Sequence, residues 1–262
     1  MSYEAYGPGL YFAAAAAAVF GAIMGSFLNC AADRTARGES FLTGRSRCDS
    51  CGHVLGPLEL IPVVSWVLQR GKCRACGAPI SIRCPVTELL CSLLTALFLL
   101  RFGFTALGLR NYVFLCCLFC LSLVDLDCML IPDECHVISV LAWLLALPFL
   151  RPRPAEILAS VLAGLAAGAL LLFLSGILDR VLGRESLGGG DVKLVAVTGL
   201  YLGPVGTLFC LMLSCVLGLL FQALAGKRGR AFPFGPAISA AACLMLLYGE
   251  PLVRWYTGLL GF

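Results

Sequence analysis

Apolar runs long enough to cross a membrane recur along the 262-residue chain and leave little sequence for anything else. A helix needs about 20 apolar residues to cross the hydrocarbon core of a bilayer, and the chain offers about eight such stretches. Charged residues make up only 13% of the sequence, against about 25% in an ordinary soluble protein. The sequence therefore predicts an all-α polytopic membrane protein and excludes a large soluble catalytic domain.

One long polar segment, residues 33–84, follows the first predicted span, which covers about residues 9–31. The later apolar runs lie near 86–100, 112–124, 135–150, 157–178, 192–202, 207–225 and 237–248. The run at 192–202 is short and rich in glycine, which favours a broken or deeply buried helix over a simple span. If that run crosses the membrane, the chain has eight transmembrane helices.

Lysine and arginine are distributed unevenly between the two predicted sides of the membrane. With residues 33–84 in the cytoplasm, 14 of the 19 basic residues lie inside and five outside, as the positive-inside rule requires. Beyond the polar segment, the inside set is Arg180, Arg184, Lys193, Lys227, Arg228 and Arg230. Because basic cytoplasmic loops lie beside anionic lipid, the net charge of +4 predicts contact with membrane lipid and no nucleic-acid partner.

Four cysteines in the polar segment have the spacing of a metal site. Cys48 and Cys51 form one CxxC pair, and Cys73 and Cys76 form a second pair after 21 intervening residues. Two such pairs can supply four thiolates to one tetrahedral zinc ion, and a glycine that allows a tight turn follows each pair. Four protein ligands leave no position for water, so we expect a structural zinc rather than a catalytic one.

Acidic residues are costly inside membrane spans, so those near span ends are informative. The segment LVDLDCMLIPDE places Asp125 and Asp127 at the cytoplasmic end of the third span, and SLGGGDVKL places Asp191 at the cytoplasmic start of the sixth. Two carboxylates that helix packing brings together do not both ionise easily. One can then polarise a water while the other protonates a carbonyl oxygen, as in aspartic proteases.

The same aspartates have two other interpretations. Asp191 after three glycines is a typical helix N-cap, and Asp133 after Pro132 likewise suits the start of a helix. A carboxylate within a membrane can also carry protons or ions in a transporter. From the residue pattern alone, the catalytic pair, the helix caps and the transport site all stay open.

Six short blocks occur in a fixed order along nearly the whole chain. They are GSFLN at 25–29, the double CxxC segment with IPVVSW between its halves, RCPVTELL at 83–90, VDLDCMLIPD at 124–133, GGGDVKL at 188–194 and PFGP at 233–236. Together they resemble the blocks of the bacterial prepilin peptidases, also called type IV leader peptidases. A single GxGD block would be a weak signal, but six ordered blocks are a strong one.

The resemblance implies a GxGD-type intramembrane aspartyl protease of the bacterial inner membrane with its active site facing the cytoplasm. Such enzymes remove the short basic leader of type IV prepilins or type II secretion pseudopilins. Many also methylate the new N-terminus with S-adenosylmethionine. The family's catalytic aspartates fall on Asp125 and Asp191, with Asp127 as the rival for the first role. The family's zinc ligands fall on Cys48, Cys51, Cys73 and Cys76.

We therefore expect a first transmembrane helix at 1–32, a cytoplasmic zinc-binding loop domain at 33–84 and a transmembrane catalytic core at 85–262. Glu88, which enters the second span, is a candidate for binding substrate or the methyl donor. The acidic residues of the loop are candidate partners for the basic leader, namely Asp33, Glu39, Asp49 and Glu59. Two alternatives are a proton-coupled transporter, which predicts inverted repeats that the sequence lacks, and a non-catalytic assembly protein.

Overall fold

The computed structural model describes residues 8–40, 44–183, 187–225 and 232–259. Within these ranges the chain is helical, and the only β-type pairing consists of two isolated bridges in the loop after the first helix. The helices are α1 (Pro8–Ala36), α2 (Val64–Leu68), α3 (Arg83–Phe102), α4 (Ala106–Cys128), α5 (Asp133–Leu150), α6 (Pro154–Leu182), α7 (Gly189–Ala225) and α8 (Gly235–Leu259). Four of the residues behind the predicted orientation, Arg184, Lys227, Arg228 and Arg230, lie outside the described ranges.

Apart from the five-residue α2 and a 3-10 helix at Pro57–Leu60, all of the described helices are long and apolar enough to cross a bilayer, which gives seven candidate spans. Large apolar side chains on these helices are exposed, including Leu145 at 71% and Phe149 at 77%. Exposed apolar side chains on such helices suit contact with lipid rather than water. The predicted all-α polytopic fold is confirmed.

The predicted runs at 192–202 and 207–225 form one element, α7, which is interrupted at Gly203 and Pro204. Gly203 has φ 67° and ψ −174°, a conformation that glycine adopts readily and that a helix does not contain. The part of α7 before the break packs on α6, and the part after it runs antiparallel to α8, with Gly218 beside Ala237 and the Phe209 ring 5.2 Å from that of Tyr256. The described residues therefore contain seven candidate spans rather than about eight, because two of the predicted apolar runs belong to one interrupted helix.

The described chain divides into two compact units, residues 1–104 and 105–262. In the first unit, α1 and α3 run antiparallel and touch through Gly21 and Gly25 of α1. A Cβ atom on Gly25 would lie 2.8 Å from Cβ of Cys91, so this close approach requires glycine. Small residues four positions apart let membrane helices pack backbone to backbone.

The second unit has a core of buried apolar side chains from α4, α5, α7 and α8, centred on residues such as Leu118, Leu194 and Ile238. A polar link crosses this core, since the Tyr201 hydroxyl donates a hydrogen bond of 2.7 Å to the carbonyl oxygen of Ser139. The Tyr201 ring also stacks on Phe114, with 3.9 Å between ring centroids. These contacts fix the helices whose ends carry the acidic residues.

Candidate active site

Asp125 lies near the C-terminal end of α4, and its side chain is only 5% exposed. Its Oδ2 atom accepts a hydrogen bond of 2.9 Å from the backbone amide of Gly235, the first residue of α8. A Cβ atom at position 235 would lie 2.7 Å from that oxygen, so only glycine lets the two backbones and the carboxylate meet in this way. The PFGP block therefore positions the first candidate aspartate.

Asp191 lies in the first turn of α7, directly after the three glycines of the GGGD block. Its backbone amide donates to the carbonyl oxygen of Gly188 at 3.1 Å, which closes the turn that starts the helix. Its Oδ1 atom is buried and has no hydrogen-bond partner among the described residues. A buried carboxylate oxygen without a partner is costly, which makes this atom a candidate for contact with water or substrate.

Ile131 links the surroundings of the two aspartates. A Cβ atom on Gly190 would lie 2.8 Å from Cβ of Ile131, and one on Gly235 would lie 3.3 Å from its Cδ1. The helix ends that carry Asp125, Asp191 and Gly235 therefore meet around this one side chain. An aspartate pair at one end of the helices is the arrangement that aspartyl hydrolysis requires.

The other charged residues near these ends differ from the pair in burial and partners. Asp127 is exposed, two residues after Asp125. Asp133 and Lys193 form an ion pair of 2.7 Å, and both side chains are more than half exposed. His136 is buried, and its Nε2 atom has no hydrogen-bond partner among the described residues. Lys193 thus contacts a carboxylate that is separate from the candidate pair.

The four loop cysteines come together in the first unit. Their Sγ atoms all lie within 4.8 Å of one another, and those of Cys48 and Cys76 are 3.9 Å apart. Zinc–sulfur bonds of about 2.3 Å in a tetrahedron place sulfur atoms roughly 3.8 Å apart. The donor set and its spacing therefore fit a tetrahedral metal ion held by Cys48, Cys51, Cys73 and Cys76.

Each CxxC pair folds into the same small turn. The amide of Cys48 donates to the carbonyl of His53 at 2.9 Å, and the amide of Cys73 donates to that of Ala78 at 2.8 Å. Gly52 and Gly77, which end the two turns, have φ values of 70° and 73°. Other residue types rarely adopt these angles, which explains the glycine after each pair.

Two residues of the candidate site, Ile131 and Gly235, are not predictable from the sequence. Ile131 gives no chemical signal, because an isoleucine at a span end is ordinary in an apolar chain. Gly235 belongs to the PFGP block, but the sequence of that block does not indicate what the glycine contacts. A contact between residues 110 positions apart cannot be derived from local periodicity.

Two family models match the chain. Residues 19–102 match the model described as the bacterial peptidase A24 N-terminal domain, and residues 112–223 match the model of the type IV leader peptidase family. The second match contains both candidate aspartates, and the first contains the four loop cysteines. No solved structure matches the chain.

Curated relatives share the same name, prepilin leader peptidase/N-methyltransferase. The relative from Bacillus subtilis (strain 168) is 37% identical over 244 residues, which cover 91% of this chain and 95% of the relative. The relative from Myxococcus xanthus (strain DK1622) is 38% identical over 80% of this chain and 64% of the relative. The relative from Aeromonas hydrophila is 34% identical over 83% and 76%. The resemblance seen in the sequence blocks is confirmed: the chain belongs to the type IV leader peptidase family of aspartic endopeptidases.

Proposed function

We propose that this protein cleaves the N-terminal leader of type IV prepilins or type II secretion pseudopilins at the cytoplasmic face of the bacterial inner membrane. The observation that supports the proposal is that Asp125 and Asp191 lie at helix ends that share the neighbour Ile131, with the buried Oδ1 atom of Asp191 unpartnered among the described residues. The names of the relatives supply the substrate class.

In this proposal the two carboxyl groups act as general acid and general base without a covalent intermediate. The ionised carboxylate takes a proton from a water molecule, whose oxygen attacks the scissile carbonyl carbon. The protonated carboxyl group donates its proton to the carbonyl oxygen. The C–N bond of the resulting diol then breaks: the carboxyl group that took the water proton gives it to the leaving amine, and the other carboxylate takes a proton from a hydroxyl of the diol. The pair therefore ends with one proton between its two carboxyl groups, as it began.

The glycines before Asp191 support access by an extended peptide. A Cβ atom on Gly189 would meet no heavy atom within 4 Å, so space is open beside the first turn of α7. A peptide bond inside a helix is shielded by its own hydrogen bonds and side chains, so the substrate has to unwind here. Backbone without side chains lets an extended chain approach closely.

We also propose that Cys48, Cys51, Cys73 and Cys76 hold a structural zinc, which would stabilise the loop and leave no position for a catalytic water.

Methylation of the new N-terminus is proposed from the names of the relatives. S-adenosylmethionine, when bound, supplies an electrophilic methyl group: the N–C bond forms as the S–C bond breaks, sulfur keeps the electron pair and the amine releases one proton.

The test is cleavage of a prepilin leader peptide by the full chain in detergent, read by mass spectrometry for cut position and for a methyl gain of about 14 daltons. We expect Asp125→Asn and Asp191→Asn each to lose at least about 10³-fold in kcat/KM, because removal of either member disables a two-carboxyl mechanism. Asp127→Asn is the matched control, since the side chain is exposed and lies on the same helix.

The outcomes separate the possibilities. Loss in Asp125→Asn and Asp191→Asn with activity in Asp127→Asn supports the pair. Loss in Asp127→Asn with an active Asp125→Asn transfers the first role to Asp127. Normal cleavage by all three variants overturns the aspartyl mechanism.

A further inference from the structure

We propose that a polar cavity in the first unit, lined by Asn29, Glu59, Trp66 and Glu88, binds the methyl donor S-adenosylmethionine. This inference rests on the methyl transfer proposed above and assigns it a site. The cavity has a volume of about 430 Å³ and lies where the loop covers the C-terminal end of α1 and the start of α3. Cavities of about 300–1,000 Å³ typically hold small organic ligands.

Two buried acceptor atoms of the cavity have no hydrogen-bond partner among the described residues. They are Oδ1 of Asn29 and Oε1 of Glu59, and the Glu59 side chain is only 9% exposed. The other oxygen of Glu59 accepts from the amide of Gly56 at 2.8 Å and lies 3.2 Å from Nε2 of His53. These two partners hold the pKa of Glu59 below its ordinary value, so the unpartnered oxygen carries negative charge at neutral pH. It therefore suits a cationic N–H donor.

The charges around the cavity discriminate between ligand classes. All five acidic residues described in the first unit line it, and so do four arginines, Arg34, Arg37, Arg45 and Arg47. Arg37 already pairs with Asp33 and Asp49 at 3.0 Å, and Arg47 lies 3.9 Å from Glu39, so these exposed pairs largely neutralise one another. The ammonium and sulfonium groups of S-adenosylmethionine suit the buried carboxylate of Glu59. A basic leader peptide would find three of the five carboxylates already paired with arginine, which disfavours it.

A strained turn lies between Leu60 and Ser65, which both line the cavity. Val63 has φ 61° and ψ −52°, and the amide of Val64 donates to the carbonyl of Pro62 at 2.6 Å, which defines a γ-turn of the rare positive-φ type. The buried carboxylate of Glu88 accepts the amide of Val63 at 2.6 Å and holds this turn. Strain of this kind concentrates at ligand sites.

Trp66 follows this turn and supplies an aromatic wall. Its Nε1 atom donates to the carbonyl of Ile80 at 3.2 Å, and Gly71 packs against its ring, where a Cβ atom would lie 2.9 Å from Cζ2. A fixed indole ring beside unpartnered acceptors suits an adenine base, which offers a flat face and an amino group. Another cavity, of about 510 Å³ between α4 and α5, has a nearly apolar lining and suits a charged ligand poorly.

The test is binding of S-adenosylhomocysteine, the stable product of methyl transfer, to the full zinc-loaded chain in detergent by calorimetry and by quenching of tryptophan fluorescence. We expect the wild type to bind, and Glu59→Gln and Asn29→Ala each to lose at least about 10-fold in affinity. Glu156→Gln, an exposed glutamate of the second unit, is the matched control and is expected to bind normally. The zinc content of each variant reports whether its loop has folded.

Wild-type binding that both variants retain would overturn the site. Absence of binding to a wild type that methylates its product would also overturn it, with the proposed function intact. Binding that depends on Glu59 and Asn29, in a chain that cleaves without methylating, would support the cavity and refute methyl transfer. Failure of the wild type to bind the nucleoside, together with capture of a lysine-rich leader peptide that Glu59→Gln abolishes, would assign the cavity to the leader instead.

Discussion

The backbone amide of Gly235 donates a hydrogen bond of 2.9 Å to Oδ2 of Asp125, across 110 residues of sequence. This bond joins the start of α8 to the end of α4 and fixes the orientation of a buried carboxylate. The hydrogen bond also requires that residue 235 has no side chain, because a Cβ atom there would overlap Oδ2 of Asp125. The glycine of the PFGP block is thus a positioning residue for the candidate pair.

Replacement of Gly235 by alanine is expected to lower kcat/KM for leader cleavage by at least about 10-fold, because a displacement of about 1 Å in a catalytic group can cost 10²-fold. The measurement is cleavage of the leader peptide in detergent. Gly176→Ala is the control, since a Cβ atom at that helical position would meet no heavy atom within 4 Å. Equal activity of the two variants would refute the positioning role.

Replacement of Gly199 by alanine is expected to destabilise the second unit by about 1–3 kcal/mol, since overpacking forces backbone to move. A Cβ atom there would lie 2.4 Å from Cα of Gly164, at the contact between α6 and α7. The measurement is the thermal unfolding midpoint in detergent. Gly176→Ala again serves as the control and should be neutral or slightly stabilising, since alanine favours helices over glycine by about 1 kcal/mol. An unchanged midpoint in Gly199→Ala would show that the helices can separate freely.

Replacement of Cys51 by serine is expected to remove the zinc and to expose the loop to proteases, because a structural metal contributes folding free energy directly. The wild type should contain one zinc ion per chain by elemental analysis. Cys84→Ser is the matched control and should keep its zinc, since Cys84 lies outside the four-thiol cluster. A zinc content that is unaffected by Cys51→Ser would exclude the cluster as the metal site.

Replacement of Val63 by glycine is expected to stabilise the turn or leave it unchanged, because a positive φ costs a β-branched residue about 1–3 kcal/mol and costs glycine little. Val67→Gly, in the neighbouring helix α2, is the control and should destabilise that segment by about 1 kcal/mol. Hydrogen exchange of the peptide that covers residues 57–72 reports both local opening free energies. Faster exchange in Val63→Gly than in Val67→Gly would contradict the strain.

The sequence by itself determined the class of fold and the candidate residues, because both follow from local patterns of residues. Apolar runs of spanning length require helices, since the bilayer offers no partner for a free backbone amide. The double CxxC spacing predicts a metal site, and the charged residues at span ends stand out because charge is costly there. Even the break in α7 was indicated locally, by the glycines and proline of GLYLGP.

Only the tertiary structure decided which residues meet. It brought Gly235 to Asp125, placed Ile131 between the glycines of two distant blocks, and gathered the acidic residues of the loop with Glu88 around one cavity. Helical periodicity gives the face on which a residue lies, but not the neighbour that the face contacts. That choice depends on the closest packing of several helices at once, where a single missing Cβ atom decides whether a carboxylate fits.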